Sequence, residues 1–427
     1  MWSQPTNPFA EYRQMLDRRQ LELATADAEP IIADLVAADR PVSWIEDELC
    51  RRLGQALAAQ DASIAERRES GEAGVLDTYG PDRLLDAITE PTALAAVKTV
   101  TAVDEPNDRN GTWRLLLALA RIVPHPNALI PVGVVEDLRE STISFPEDSI
   151  VAAPAAAPRW ARDGYGTRFA ITAPFAAADG TGRWYLWDID VCNGEAYTVG
   201  AGYFPDADEA FAAWRSAVGP VAAGGARLEP VSDADLAARI LPGSSFMFRP
   251  GGESEPQYAE FHRCRRLAQE LRRSDHLAGG VSTDTVPSDR TFDPDAWIAE
   301  FTAWRAEHRP GRSALPEDFP ADDEPLSEAD VYSELAATWL SEEFPELAYT
   351  CSPHRIALTA SAFRDLYDAD FADVLLRLVP DVVAWLTERG GLSDAVADRA
   401  RAFADSVALP DADLGGHARN LMAQIQE

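Results

Sequence analysis

Apolar positions recur at helical spacing over the first 125 residues, at strand spacing from about 165, and at helical spacing again from about 256 onward. Phe9, Tyr12, Leu16 and Leu23 share one helical face. Ser43, with Glu46 three residues on, forms a capping-box start for a helix carrying Ile45, Leu49, Leu53 and Leu57. Another helix is predicted from Pro91, with Leu94 and Val97 turned inward. The largely apolar run from Trp113 to Val123 fits a buried helix or a buried strand, which periodicity alone does not separate. Pro124-His125-Pro126 ends it. Residues 150–158, rich in Ala and Pro, read as a semi-rigid boundary.

Beyond that boundary the period becomes two. Phe169, Ile171, Ala173 and Phe175 alternate with other residues, as do Tyr185, Trp187, Ile189 and Val191, and again Tyr197, Val199, Ala201 and Tyr203. Asp179-Gly180 and Asn193-Gly194 fall between the runs as turn signals, so three strands in an antiparallel meander are predicted. Asp206, with Glu209 three residues later, caps a helix whose inward face is Phe211, Trp214 and Val218. In this reading the stripe of Tyr185, Trp187, Ile189 and Val191 faces that helix. Asp188 and Asp190 then face water on the open side of the sheet.

The third region is helical. Tyr258, Phe261, Cys264, Leu267 and Leu271 share a face over residues 256–273. Asp293-Pro294 starts a helix bearing Trp297, Phe301 and Trp304; Ser327 starts one bearing Val331, Leu335 and Trp339; Ser352-Pro353 starts one bearing Ile356, Phe363 and Tyr367. Leu375, Leu378, Val382 and Leu386 form a fourth, interrupted or kinked at Pro380. Residues 275–291 and 309–326 read as loops. The fold class is α+β, mainly α. Its regions are a helical one (1–140), a three-stranded meander with a packed helix (160–245), a helix and linker (246–290) and an acidic helical domain (291–427).

Charge narrows the function. The chain has 427 residues, with 71 Asp and Glu against 38 Lys and Arg, a formal net charge of −33. From residue 291 onward 27 acids face 10 arginines, so general duplex binding, which needs phosphate neutralisation, is disfavoured there. No stretch is apolar enough for a membrane helix, no secretory signal is visible, and Cys50, Cys192, Cys264 and Cys351 are too scattered for a disulfide framework. A cytoplasmic location is expected. Lys98 is the only lysine, which excludes a GxxxxGK phosphate loop. The segment around it resembles the kinase strand that carries the ATP lysine, but neither a catalytic HRD loop nor DFG accompanies it, so a kinase is excluded.

Candidate chemistry centres on Trp184-Tyr-Leu-Trp-Asp188-Ile-Asp190-Val-Cys192. Acids two apart on a strand share a face, and paired carboxylates hold divalent metals in many phosphoryl-transfer enzymes. The string resembles the Asp-x-Asp motif of archaeal–eukaryotic primase-polymerases, which implies a metal on Asp188 and Asp190. That family's glycine-rich Ser-x-His motif has no clear counterpart; Ser244-Ser245 has no nearby histidine. The strands followed by Asp206-Ala-Asp-Glu-Ala-Phe-x-x-Trp214 resemble the arm-binding modules of phage-type integrases, which implies a DNA-reading sheet face. Here that face offers Arg168 and Arg183 against Asp188 and Asp190. Arg263, Arg265, Arg266, Arg272 and Arg273 form the one basic cluster, suited to an anion or acidic partner, or to the chain's own acids. His262-x-x-Arg265 resembles the core of tyrosine recombinases, without the tyrosine that should follow. His262, Cys264, Cys351 and His354 are weighed as zinc ligands, at unusual spacing.

The expected function is a non-enzymatic acidic interaction or adaptor protein with a protein partner and no cofactor. Two alternatives are a divalent-metal-dependent nucleic-acid enzyme using Asp188 and Asp190, and an acidic nucleic-acid mimic or inhibitor.

Overall fold

The computed structural model describes residues 8–70, 78–101, 106–140, 153–177, 179–242, 254–277, 293–316, 319, 326–341 and 343–407. Ser244-Ser245, most of the 275–291 segment and residues 320–325 lie outside the described residues. Five helices open the chain: α1 (Pro8–Ala37), α2 (Val42–Ser70), α3 (Pro81–Thr101), α4 (Pro106–Ile122) and α5 (Leu129–Glu140). The ambiguous run from Trp113 is α4, and Leu115 through Ala120 are all buried around it. Ile45, Leu49, Leu53 and Leu57 are buried as predicted.

Three details differ, each for a local reason. In α1 the core-facing residues are Ala24, Ala28, Ile31 and Leu35, while Tyr12 is exposed. Helix α2 begins before Ser43, with the Pro41 carbonyl accepting the Ile45 N–H. Glu46 does not close a capping box; it is buried and pairs with Arg121 and Arg263 at 2.8 and 3.2 Å. Helix α3 passes through Pro91 instead of starting there. Its inward stripe is Leu85, Ile88, Thr89, Thr92 and Ala96, so Leu94 and Val97 face outward at 55% and 41% exposure. The buried Thr89 and Thr92 hydroxyls are tolerated because they donate back to the Leu85 and Ile88 carbonyls, each at 2.7 Å.

The sheet has five antiparallel strands, β1 (Arg159–Arg162), β2 (Arg168–Ala176), β3 (Gly182–Asp190), β4 (Tyr197–Phe204) and β5 (Glu229–Pro230), in the order β4-β3-β2-β1-β5. The predicted meander is β2-β3-β4; β1 and β5 extend it. Gly180 and Gly194 take φ of 81° and 78° at the two hairpin turns, as the Asp-Gly and Asn-Gly signals require. The described part of the 150–158 segment borders the sheet, with Pro154 bridging to Phe175. A bulge sets Asp188 opposite Gly200 but Ile189 opposite Thr198. The predicted stripe of β4 is therefore split: Tyr203 and Ala201 oppose Tyr185 and Trp187, whereas Tyr197 opposes Asp190.

Both faces of the sheet are covered. Helix α6 (Ala207–Val218) is capped by Asp206 as predicted. It does not pack on the aromatic stripe. Its Ala210 and Trp214 cluster with Ala161, Ala170 and Leu186 on the opposite face, where small side chains leave room for an indole. The aromatic stripe of Phe175, Tyr185, Trp187 and Ile189 packs against α7 (Ala234–Ile240) and α8 (Glu255–Arg273). Helix α8 joins two cores. Its Tyr258 lies in the N-terminal helical core, Leu267 and Leu271 lie in the sheet core, and the Cys264 carbonyl accepts Trp187 Nε1–H at 3.0 Å. Gly54 permits the approach of α2, since a Cβ there would meet the Ala259 nitrogen at 2.7 Å.

The C-terminal region is α9 (Pro294–His308), α10 (Glu328–Trp339), α11 (Pro353–Leu366), α12 (Ala369–Arg389) and α13 (Asp394–Val407). Asp293, Ser327 and Ser352 cap α9, α10 and α11 through their side-chain oxygens, as predicted. Helix α12 runs as one element through Pro380. Tyr165, from the β1–β2 connection, is buried in this helical core, and Val221 and Ala222 pack against it. The end of the sheet is thereby pressed onto the C-terminal helices. No helix among the described residues is long and apolar enough to cross a membrane.

Candidate functional site

Three segments converge where β3 ends. The first is Asp190-Val191-Cys192, leaving the sheet for the Asn193-Gly194 turn. The second is the tight β1–β2 connection, in which the Asp163 carboxylate accepts the N–H groups of Thr167 and Arg168 at 2.7 and 3.0 Å. Gly166, at φ 79°, makes that turn feasible. The third is the first turn of α11, where the Ser352 cap leaves His354 beside the end of the sheet. The three segments wall a cavity of about 250 Å³ lined by Asp163, Tyr165, Asp190, Cys192, His354 and Arg399, among others.

Asp190 is 5% exposed and fully engaged. Its Oδ1 accepts the Cys192 N–H at 2.7 Å and its Oδ2 faces His354 Nδ1 at 3.0 Å. Burial pushes its carboxyl up, but the His354 imidazole and the Cys192 N–H outweigh burial and hold it at about 2. An ionised carboxylate only accepts, so His354 carries its proton on Nδ1. The Cys192 thiol shares a hydrogen bond with Ser352 Oγ at 3.1 Å; burial and the Asp190 charge raise its pKa well above the ordinary thiol value. Asp163 is pushed up to about 6 by burial, opposed by its two backbone N–H bonds and reinforced by Asp190. One ligand atom from each of Asp190, Cys192 and His354 lies within 4.8 Å of the other two, the one such grouping of at least three metal-binding side chains among the described residues.

Asp188 and Asp190 share a face, as their spacing predicts, but that face is not open to water. Both are 5% exposed beneath α6 and the α6–β5 connection. They also do different things. Both Asp188 oxygens accept from Arg168, Nε at 2.7 Å and Nη2 at 2.6 Å, so the guanidinium occupies the carboxylate edge that a metal shared with Asp190 would need.

The basic cluster is mostly spent inside the fold. Arg263 is 1% exposed and meets Glu46, Asp47 and Glu260 at 3.2, 2.8 and 3.4 Å. Arg265 meets Asp82 and Arg266 meets Glu270, each at 2.9 Å. Arg272 donates to the Leu241 carbonyl at 3.5 Å, and Arg273 is the exposed member, 3.9 Å from Glu270. The four histidine and cysteine residues weighed as zinc ligands are not brought together. Cys264 lies in the sheet core, Cys351 in the C-terminal core and His262 beside Asp82, while His354 joins Asp190 and Cys192.

Sequence reasoning missed Cys192, Asp163 and the meeting of Asp190 with His354, 164 positions apart in the chain. One signal was present: the Ser352-Pro353 helix start leaves His354 in a first turn, where a side chain can reach out of the helix end. Compared with models of known families, with curated proteins and with solved structures, the chain matches none.

Proposed function

We propose that this protein holds a divalent transition-metal ion on Asp190, Cys192 and His354 and uses it to activate water against a small polar substrate in the adjoining cavity. The observation that carries this reading is the gathering of an oxygen, a sulfur and a nitrogen ligand at one wall of a cavity. Three protein ligands with water in the fourth position is the pattern of catalytic zinc, and thiolate with imidazole selects zinc-like ions over magnesium. Asp190 Oδ2 and His354 Nδ1 already stand 3.0 Å apart and all three ligand atoms lie within 4.8 Å, so small side-chain rotations would bring them to the roughly 3.3–3.8 Å spacing of zinc ligands.

Electrostatics supports the same reading. A buried thiol beside an ionised carboxylate stays protonated, and a divalent cation reverses that logic by neutralising both. A bound cation would be held by Cys192 as a thiolate, its proton passing to solvent, and by His354 through Nδ1 with the ring proton on Nε2. Asp163, whose carboxyl exchanges its proton at about pH 6, lines the same cavity and is suited to take a proton from the attacking water. The test is Co²⁺ titration of metal-stripped protein. A near-ultraviolet thiolate-to-cobalt band, lost in Cys192→Ser, is expected; cobalt bound without that band refutes the site.

The adaptor reading stands beside it, favoured by one observation. Leu94 and Val97 on α3, and Leu129 and Ile130 on the neighbouring α5, are 55%, 41%, 69% and 45% exposed. Exposed apolar side chains on two helices that pack together suit a protein partner. A photo-crosslinker at Leu129 is expected to trap one defined protein, and Leu94→Glu to abolish the trapping; labelling that Leu94→Glu leaves unchanged counts against this surface.

A further inference from the structure

Six arginines are buried among the described residues: Arg121, Arg263, Arg265, Arg266, Arg305 and Arg355. Five meet a carboxylate of the chain itself, namely Glu46 for Arg121 and Arg263, Asp82 for Arg265, Glu270 for Arg266 and Asp381 for Arg305. Arg355 is the exception. It is 2% exposed, its guanidinium donates to the backbone carbonyls of Cys192 and Trp339, it lies over the Trp339 ring, and its Nε is buried without a hydrogen-bond partner. Neutral carbonyls do not cancel a charge. A buried guanidinium with no carboxylate hydrogen-bonded to it is costly.

Arg355 lines a second cavity, of about 300 Å³, on the far side of Cys192 from the first. Asn193, Thr338, Ser341 and Thr359 add polar groups to it. Glu195 and Glu343 line it as well, both on exposed residues, so they mark its mouth while Arg355 marks its floor. The Glu343 carboxyl is raised by burial and by the charge of Glu195, with Arg239 only partly offsetting them. The cavity is therefore polarised, with a cation lacking an anion within and two anions crowding each other at the entrance. A phosphate dianion would answer the first and be repelled by the second.

We propose that this cavity binds a small zwitterion of the amino-acid class, its carboxylate on Arg355 and its ammonium toward Glu195 and Glu343. The size agrees, since ligand cavities run from roughly 300 to 1,000 Å³ and this one is at the small end. The site does not rest on the metal reading, because it uses neither Asp190 nor His354. Cys192 is common to both walls, offering its carbonyl to Arg355 and its thiol to the other cavity.

The test is a thermal-shift screen of the full chain with each proteinogenic amino acid, followed by calorimetry of the best binder against acetate and ethylamine. At least one amino acid is expected to bind saturably, with acetate weaker by roughly tenfold or more for want of the charged ammonium contact. Arg355→Met should abolish binding of both amino acid and acetate. If that variant does not fold, Glu343→Gln, at the exposed mouth, should weaken the amino acid several-fold and leave acetate unchanged. The proposal is overturned if no amino acid binds at millimolar concentration, or if neither variant alters the affinity.

Discussion

Two regions bury charge, and they do so in opposite ways. Where α2, α4, α8 and β3 meet, Glu46, Asp47, Arg121, Arg183 and Arg263 close on one another. Asp47 takes both Arg183 nitrogens at 2.8 and 2.9 Å while Arg263 bridges Asp47 and Glu46. At the end of β3, by contrast, Asp163, Asp190, Cys192 and Arg355 are buried and His354 is half-buried beside two cavities, and Arg355 has no carboxylate hydrogen-bonded to it. The first arrangement is a stitch between an N-terminal helical core and a sheet. The second has unmet electrostatic demand that a bound ion or ligand would satisfy. Burial of charge alone does not separate structure from function; whether the charges complete one another inside the fold does.

The largest effect should come from breaking the stitch. Arg263→Ala leaves Glu46 with Arg121 alone and takes the Arg263 guanidinium from Glu260, and removing one member of a buried ion-pair network costs about 3–5 kcal/mol. Denaturant unfolding is expected to show that loss, with metal affinity of the surviving folded protein unchanged. A loss below about 1 kcal/mol would mean the network is no more than an exposed salt bridge.

Acid sharpens the contrast next. His262 is 1% exposed, and burial lowers its pKa to about 4, so the unfolded chain binds the extra proton as pH falls from 6.5 toward 4 and stability drops. Asp163 has the reverse sign: its carboxyl is raised to about 6, so the folded chain binds the extra proton between pH 6 and 3.8 and stability rises as pH falls. Each amounts to about 3 kcal/mol by linkage, and in the wild type they offset one another. Asp163→Asn should make the protein markedly acid-labile between pH 6 and 4, and His262→Leu should make it more stable there than at pH 7. Parallel pH profiles for the wild type and both variants would remove this assignment.

The smallest stability effect belongs to the apolar surface of α3 and α5. Leu94→Glu with Leu129→Glu should change unfolding free energy by less than about 0.5 kcal/mol while removing the partner contact. A substantial loss of stability would place these side chains in a core they do not visibly share.

Much of the fold was legible because its signals are local. Ser327, Ser352-Pro353 and Asp206 each state a helix start within four residues, and the strand alternation with Asp179-Gly180 and Asn193-Gly194 states two hairpins. What escaped depends on partners distant in sequence. Thr89 and Thr92 face inward and Leu94 outward because the buried stripe of α3 runs through Leu85, Ile88, Thr89, Thr92 and Ala96, a phase that apolarity alone misses. Trp214 settles on the Ala170 face because the other face is taken by α8, and this buries Asp188 and Asp190. The Asp188-x-Asp190 pair was visible in the sequence, but its division of labour was not. Arg168, Cys192 and His354 decide that division, and only the assembled fold brings them there.

That division gives the most direct test. Zn²⁺ is titrated calorimetrically into the metal-stripped wild type, Asp188→Asn and Asp190→Asn. One specific site is expected in the wild type, kept in Asp188→Asn and weakened at least tenfold in Asp190→Asn. Equal loss in both variants would contradict the account and restore a metal shared by the two strand carboxylates; no binding in the wild type would remove the metal altogether.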